Sequence, residues 1–246
     1  MSLLSSLATS NDIASEKDSV GGGFVLDTNL YNFTVKLAYL QKTDSDALSL
    51  VVHLTTEDGK DVRQQFWMTS GKEKGCKNFY VDKNGDKQYL PGFNMANSLC
   101  LLTVGKEIAQ LETETKVVNL YSSEAKAEVP TNVEMLTELL GKQVFGGLIK
   151  QIVDKTKKNE TTGDYEPTGE TREENELDKL FRERDGKTTA EILAQAPEAV
   201  FIETWKKKWV GQVKDKSTKT AGTAGAPKAT GAATTGTTKP QNSLFS

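Results

Sequence analysis

The sequence has little of the chemistry on which most enzymes and metalloproteins rely. It holds two cysteines, Cys76 and Cys100, and one histidine, His53. A closed zinc site usually takes four Cys or His ligands, so most zinc sites are excluded. Any Ser-His or Cys-His nucleophile pair would depend on His53 alone, which reads more simply as a strand residue. No G-x-x-x-x-G-K-[ST] or G-x-S-x-G run occurs. The stretch Asp82-Lys83-Asn84-Gly85-Asp86 looks like part of a calcium loop but has no Glu where the bidentate ligand belongs, so it reads as a turn. No apolar run approaches the roughly 20 residues that cross a bilayer. The opening MSLLSSLATSNDIASEKD has neither the basic start nor the apolar stretch of a secretory signal. A soluble intracellular protein that is not an enzyme, with no metal or cofactor, is expected, and its cysteines are expected to be free thiols.

Net basic charge is also missing. The formal charge is -3 and the sequence pI is about 5.5, which excludes a uniformly basic nucleic-acid binder but leaves the placement of charge open. Along the chain, residues 1–22 read as a flexible lead-in ending at Gly21, Gly22 and Gly23. From Tyr31 to Tyr39 every second residue is apolar, the period of a half-buried strand. Leu48 to Leu54 repeats it, Asp58-Gly59 marks a turn, and Val62, Phe66 and Met68 return, with Arg63, Gln65 and Trp67 on the other face. A second hairpin is predicted around Asn84-Gly85. Asn94 is placed to cap a helix through Met95, Leu99 and Leu102, although Cys100 to Val104 also fits a strand.

Further on, Val117 to Tyr121 reads as a strand, Pro130 to Gly141 as a helix, and Val144 to Lys155 as a long strand followed by a turn. Residues 159–198 hold 12 Asp or Glu against 5 Lys or Arg. Glu174 to Phe181 and Thr189 to Ala196 are expected as short helices in that region. Phe201, Trp205 and Trp209 recur at i, i+4 and i+8, which puts them on one helix face. The tail, 214–246, is nearly all Thr, Ala, Gly, Lys, Pro and Ser, a composition that stays disordered. It carries Leu244 and Phe245 at its end, an apolar tip suited to docking a partner protein.

Two further patterns bear on function. Residues 61–93 interleave Phe66, Trp67, Phe79, Tyr80, Tyr89 and Phe93 with Arg63, Lys72, Lys74, Lys77, Lys83 and Lys87. Unpaired bases stack on aromatic rings, and lysines beside the stack neutralise phosphates. The same aromatics can equally be core and the same lysines solvated loop charges. Residues 142–158 hold five lysines opposed only by Asp154; such a row either follows a phosphate backbone or protects a strand edge.

The run from Phe66-Trp67-Met68-Thr69 to Gly92-Phe93-Asn94 resembles bacteriophage single-stranded DNA-binding proteins of the podovirus-like type. So do Leu120-Tyr121-Ser122-Ser123-Glu124, and Gly141-Lys142-Gln143-Val144 through Lys155-Thr156-Lys157-Lys158-Asn159. The likeness spans about residues 24–213, and the order of linker and terminal Phe adds to it. It implies an OB-type β-barrel, binding of replication intermediates in the cytoplasm of an infected bacterial host, and roles in DNA replication and recombination. It also implies that the tail recruits replication or recombination proteins or RNA polymerase. Residues 159–198 would be an addition to that barrel, acidic enough either to cover the binding groove when DNA is absent or to repel duplex DNA.

The expectation is therefore a mainly β protein with helical additions (α+β), an OB-like body over 23–213 and a disordered tail. Sequence-independent single-stranded DNA contacts are expected from Arg63, Trp67, Lys72, Lys74, Lys77, Phe79, Tyr80, Tyr89 and Lys150, and partner contacts from Leu244 and Phe245. The rival readings are a phage structural or assembly protein without nucleic-acid affinity and a metal-dependent nuclease built on clustered carboxylates.

Overall fold

The computed structural model describes residues 25–122, 125–159 and 161–218. The lead-in and the tail tip with Leu244 and Phe245 lie outside these. Ten strands and three α-helices are present among the described residues. Strands β1 (Asn29–Lys42), β2 (Leu48–Thr56) and β3 (Asp61–Trp67) form an antiparallel meander. The 57–60 turn has Gly59 at φ 79°, where Asp58-Gly59 predicts it. Hairpin β4 (Phe79–Val81) and β5 (Lys87–Tyr89) follows, then α1 (Pro91–Val104). Strands β6 (Glu114–Ser122) and β7 (Ala127–Met135) form a hairpin. Strands β8 (Gln143–Lys158) and β9 (Tyr165–Phe181) form a second, much longer one. Two helices, α2 (Thr189–Leu193) and α3 (Phe201–Trp209), lead to β10 (Val213–Asp215).

The main sheet runs β9-β8-β1-β2-β3. Strand β1 pairs with β8 over Asn29–Thr34 and, past a bulge at Lys36, with β7 at Tyr39 and Leu40. Where β1 leaves β8 at Leu148, β10 takes over that edge in parallel, so the body continues past 213 into the segment expected as tail. The sheet curls until its outer strands face each other. The Gln64 side chain of β3 donates to the Asn175 carbonyl at 3.0 Å and accepts from the Leu177 N–H at 3.2 Å. No backbone ladder joins β3 to β9 among the described residues, so the sheet is strongly curled and not closed.

Inside the curl lie Phe33, Val35, Leu50, Leu54, Leu148 and Leu180, capped by Leu99 and Cys100 of α1. Burying each large side chain stabilises by roughly 1.5–3 kcal/mol. Burial also pushes the Cys100 thiol up to about 12, so it is an inert core residue. Two smaller clusters cover the sheet outside: Tyr39, Val51, Val133 and Met135 under the β6–β7 hairpin, and Ile149, Phe181 and Trp205 under α3. Gly146 and Gly147 make the second arrangement possible. A Cβ on Gly146 would sit 2.7 Å from Phe33 and Leu177 on the inner side, and one on Gly147 would sit 2.6 Å from the Trp205 ring on the outer side.

Three segments differ from the sequence expectation. The stretch 130–141 is not a helix: Val129, Thr131, Val133 and Met135 alternate on β7, and only a 3-10 turn, Thr137–Leu139, follows. Pro130 is tolerated because β7 touches β1 only at Glu134 and Met135, leaving the other edge of β7 unpaired at that point. Helix α1 starts at Pro91, not Asn94, with proline at a first-turn position where its missing N–H costs nothing. Glu174 to Phe181 is strand rather than helix. Its Leu177–Leu180 spacing imitates a helical face because Asp178 is an extra, bulged residue between the Leu148–Leu177 and Gly147–Lys179 pairs.

Candidate nucleic-acid interface

The outer face of β3 carries Arg63, Gln65 and Trp67, while Val62, Phe66 and Met68 point into the core. Arg63 lies across from His53 of β2, and Gln65 is tied to Ser49 at 2.9 Å. At the strand end Trp67 is 44 % exposed. Burial, then the adjacent Arg63 charge, hold His53 below its ordinary value, so His53 is a neutral strand residue; Arg63 beside it has no ion-pair partner among the described residues.

From Trp67 the chain enters the lysine-bearing turn, and Gly71 accepts hydrogen bonds from Lys74 N–H and Cys76 N–H. Lys72 is not free: its ammonium lies 2.8 Å from Asp46, which also holds Lys42 at 2.6 Å. Lys74 and Lys77 have no ion-pair partner among the described residues, and neither do Lys83 and Lys87 of the following hairpin.

The β4–β5 hairpin pairs Phe79 with Tyr89 and Tyr80 with Gln88. Its turn is closed by Asp82, whose carboxylate accepts from the Asp86 and Asn84 N–H groups, which keeps that carboxyl below its usual range. Gly85 supplies φ 88°. Phe79 lies under two cations, Lys87 at 5.0 Å and Lys77 at 5.8 Å from its ring centre. Tyr80 is 47 % and Tyr89 57 % exposed, and Tyr89 leans on Phe93 at 4.9 Å. A groove of about 490 Å³ runs between Lys74, Lys77, Phe79 and Tyr80. Gly92 fixes the hairpin to the end of β3: its Cα meets the Trp67 backbone so closely that a Cβ would fall 2.2 Å from the Trp67 oxygen.

The structure therefore brings Arg63, Trp67, Lys74, Lys77, Phe79, Tyr80 and Tyr89 to one end of the meander. It does not bring Lys150 there. Lys150 lies on β8 beyond the Leu148–Asn29 pair, whereas Trp67 faces Ser49, itself opposite Gln41. Twelve residues of β1 separate those levels, about 40 Å along the strand at ~3.3 Å per residue. The Lys150 ammonium is also taken by Glu173 at 2.9 Å, whose hydrogen bond raises its pKa. Three further acids of 159–198 are engaged in the same way: Glu170 with Lys155, Glu174 with Arg172, Glu176 with Lys214 and Lys216. Glu166, Glu170, Glu173, Glu174 and Glu176 are held in β9, while Glu183, Asp185, Glu191 and Glu198 lie beyond it. Lys87 was a component of the cationic pattern whose place over Phe79 only the pairing of β4 with β5 reveals.

No helix among the described residues is long and apolar enough to cross a membrane. A scan against protein-family models found no match to this chain, and a search of curated proteins found none either.

Proposed function

We propose that this protein binds single-stranded DNA without reading its sequence, using the end of β3 and the β4–β5 hairpin. The observation that carries the reading is the company of exposed aromatics and unpaired cations. Trp67, Tyr80 and Tyr89 stand out from the surface beside Lys74, Lys77, Lys83 and Lys87. Rings left in water at an energetic disadvantage suit stacking on bases, and lysines without carboxylate partners suit phosphates. The curled sheet, with Gln64 bridging β3 to β9 and α1 packed on the core, supports an OB-type body, and the OB assignment belongs to this proposal. Roles in phage DNA replication and recombination in the host cytoplasm, with Leu244 and Phe245 recruiting replication proteins or RNA polymerase, follow from the family resemblance and are proposed with it.

The test is a titration of intrinsic fluorescence with oligo(dT) at two salt concentrations, with duplex DNA as control and Trp67→Phe to assign the signal, since Trp205 is buried and Trp209 half-buried. Quenching that prefers single strands, weakens with salt and disappears in Trp67→Phe supports the proposal. Absence of any binding signal overturns it. In that case the exposed Val117 and Tyr121 of β6 become the leading surface for an assembly role.

A further inference from the structure

Beside the β4–β5 hairpin a cleft of about 370 Å³ opens toward β9 and α2. Tyr80, Gln88 and Tyr89 line its hairpin side, Tyr80 and Gln88 being cross-strand partners; Asn94 and Ser98, one turn apart on α1, make a polar floor, and Lys179 and Thr189 line the far side. We propose that this cleft is a nucleotide slot, in which one unpaired base of the bound strand lies against Tyr80 or Tyr89 while its phosphate meets the Lys179 ammonium. The inference rests on the single-stranded DNA reading and extends the path beyond the outer hairpin face.

The backbone itself aims Lys179 there. In a regular strand Asp178 and Lys179 would point to opposite faces. Because Asp178 is the bulged residue, Leu177 and Leu180 both enter the core and Asp178 and Lys179 both stay half-buried outside it. Asp178 is the one carboxylate on the cleft among the described residues, and it accepts from the Trp205 indole N–H at 2.8 Å. Lys179 has no carboxylate of its own among the described residues; its ammonium rests 5.3 Å from the Phe201 ring centre. Phe201 is held in place because Glu191 accepts from its N–H and that of Val200, each at 2.8 Å. A cation parked on an aromatic face exchanges that weak partner readily for a phosphate. Thr189 adds a buried hydroxyl with no hydrogen-bond partner among the described residues, an unmet group of the kind that native structures rarely leave without a role.

The experiment uses the full chain with fluorescein-labelled oligo(dT), following anisotropy over a salt series for the parent protein, Lys179→Gln and Lys179→Arg. Parent protein is also photo-crosslinked to oligo(dT) carrying 5-iododeoxyuridine and the adduct mapped. Loss of one phosphate contact lowers the slope of log K against log salt by about 0.7, which between 1 M and 0.05 M salt amounts to about eightfold in affinity. The slot predicts that loss for Lys179→Gln, recovery in Lys179→Arg, unchanged circular dichroism and Tm in both, and adducts on Tyr80 or Tyr89. Parent protein that binds oligo(dT) while Lys179→Gln keeps its slope rejects the slot wherever the adducts map, and adducts on Trp67, Tyr80 or Tyr89 then leave the hairpin interface standing. Parent protein that does not bind at any salt rejects both.

Discussion

Replacing Trp67 with alanine separates a stacking platform from a core residue. The ring projects from the outer face of β3, and the core contacts of that strand are made by its neighbours Phe66 and Met68, 6 % and 4 % exposed. About half of the residue is already in water. An aromatic side chain buries ~150–250 Å² when enclosed, so roughly 80–140 Å² is at stake here. At ~25 cal/mol per Å² this gives an upper figure of about 2–3.5 kcal/mol. A Tm lower by several degrees is expected at about 2–4 °C per kcal/mol for a chain of this size, with the variant folded at 25 °C. Binding should suffer independently: loss of one base stack costs ~1–3 kcal/mol, or about five- to 150-fold in Kd for oligo(dT). Fluorescence of the oligonucleotide, not of the protein, is the appropriate readout. An affinity within twofold of the parent together with a lowered Tm would refute the reasoning and return Trp67 to a packing role.

Other outcomes follow from the same geometry. Combined substitution of Lys74, Lys77 and Lys87 by alanine should lower the salt slope of oligo(dT) binding by about 2, whereas Lys150→Ala, removing a cation already paired with Glu173, should leave it unchanged; anisotropy over a salt series distinguishes them. Gly92→Ala should destabilise by about 3 kcal/mol or more in urea denaturation, because its Cβ meets backbone rather than a movable side chain; a loss below 1 kcal/mol counts against the tight seat of α1 on β3. His53 is held below its ordinary pKa by burial and by Arg63. The folded state thus prefers the neutral ring, and His53 contributes stability that is intact above the unfolded value near ~6.5 and is lost as pH falls through the folded value. Thermal melts between pH 8 and pH 5 should show this decline, and Arg63→Gln should reduce it.

Local chemistry made some elements readable in advance. Asp58-Gly59 and Asn84-Gly85 announce their turns because positive φ is cheap for glycine, and both glycines adopt it. The alternation of β1 and the i, i+4, i+8 aromatics of α3 need only one element's own periodicity. The errors share a different origin. Strand β9 looked like an acidic helix because a single bulged residue converts period-2 alternation into an i, i+3 leucine pair, and a bulge exists only relative to its partner strand. Its acids looked like an addition to the fold; three of them, Glu170, Glu173 and Glu176, are counter-charges to Lys155, Lys150, Lys214 and Lys216. For the site, the aromatic and cationic inventory of 61–93 was visible. Which lysines are neutralised was not, because Asp46 and Glu173 reach Lys72 and Lys150 only through tertiary contact. Lys179 had no sequence signal at all.

The paired glycines of β8 have a mechanical consequence. At Gly146 and Gly147 the sheet is reduced to bare backbone, with Phe33 against one surface and Trp205 against the other. The inner core and the α3 cluster are thus not two compartments with a cushion of side chains between them, but two sides of one partition as thin as a polypeptide allows. A displacement of Trp205 reaches Phe33 with nothing in between to absorb it. Helix α3, although it lies outside the curl, should therefore exchange its amide hydrogens in step with the central strands and melt with them as one cooperative unit.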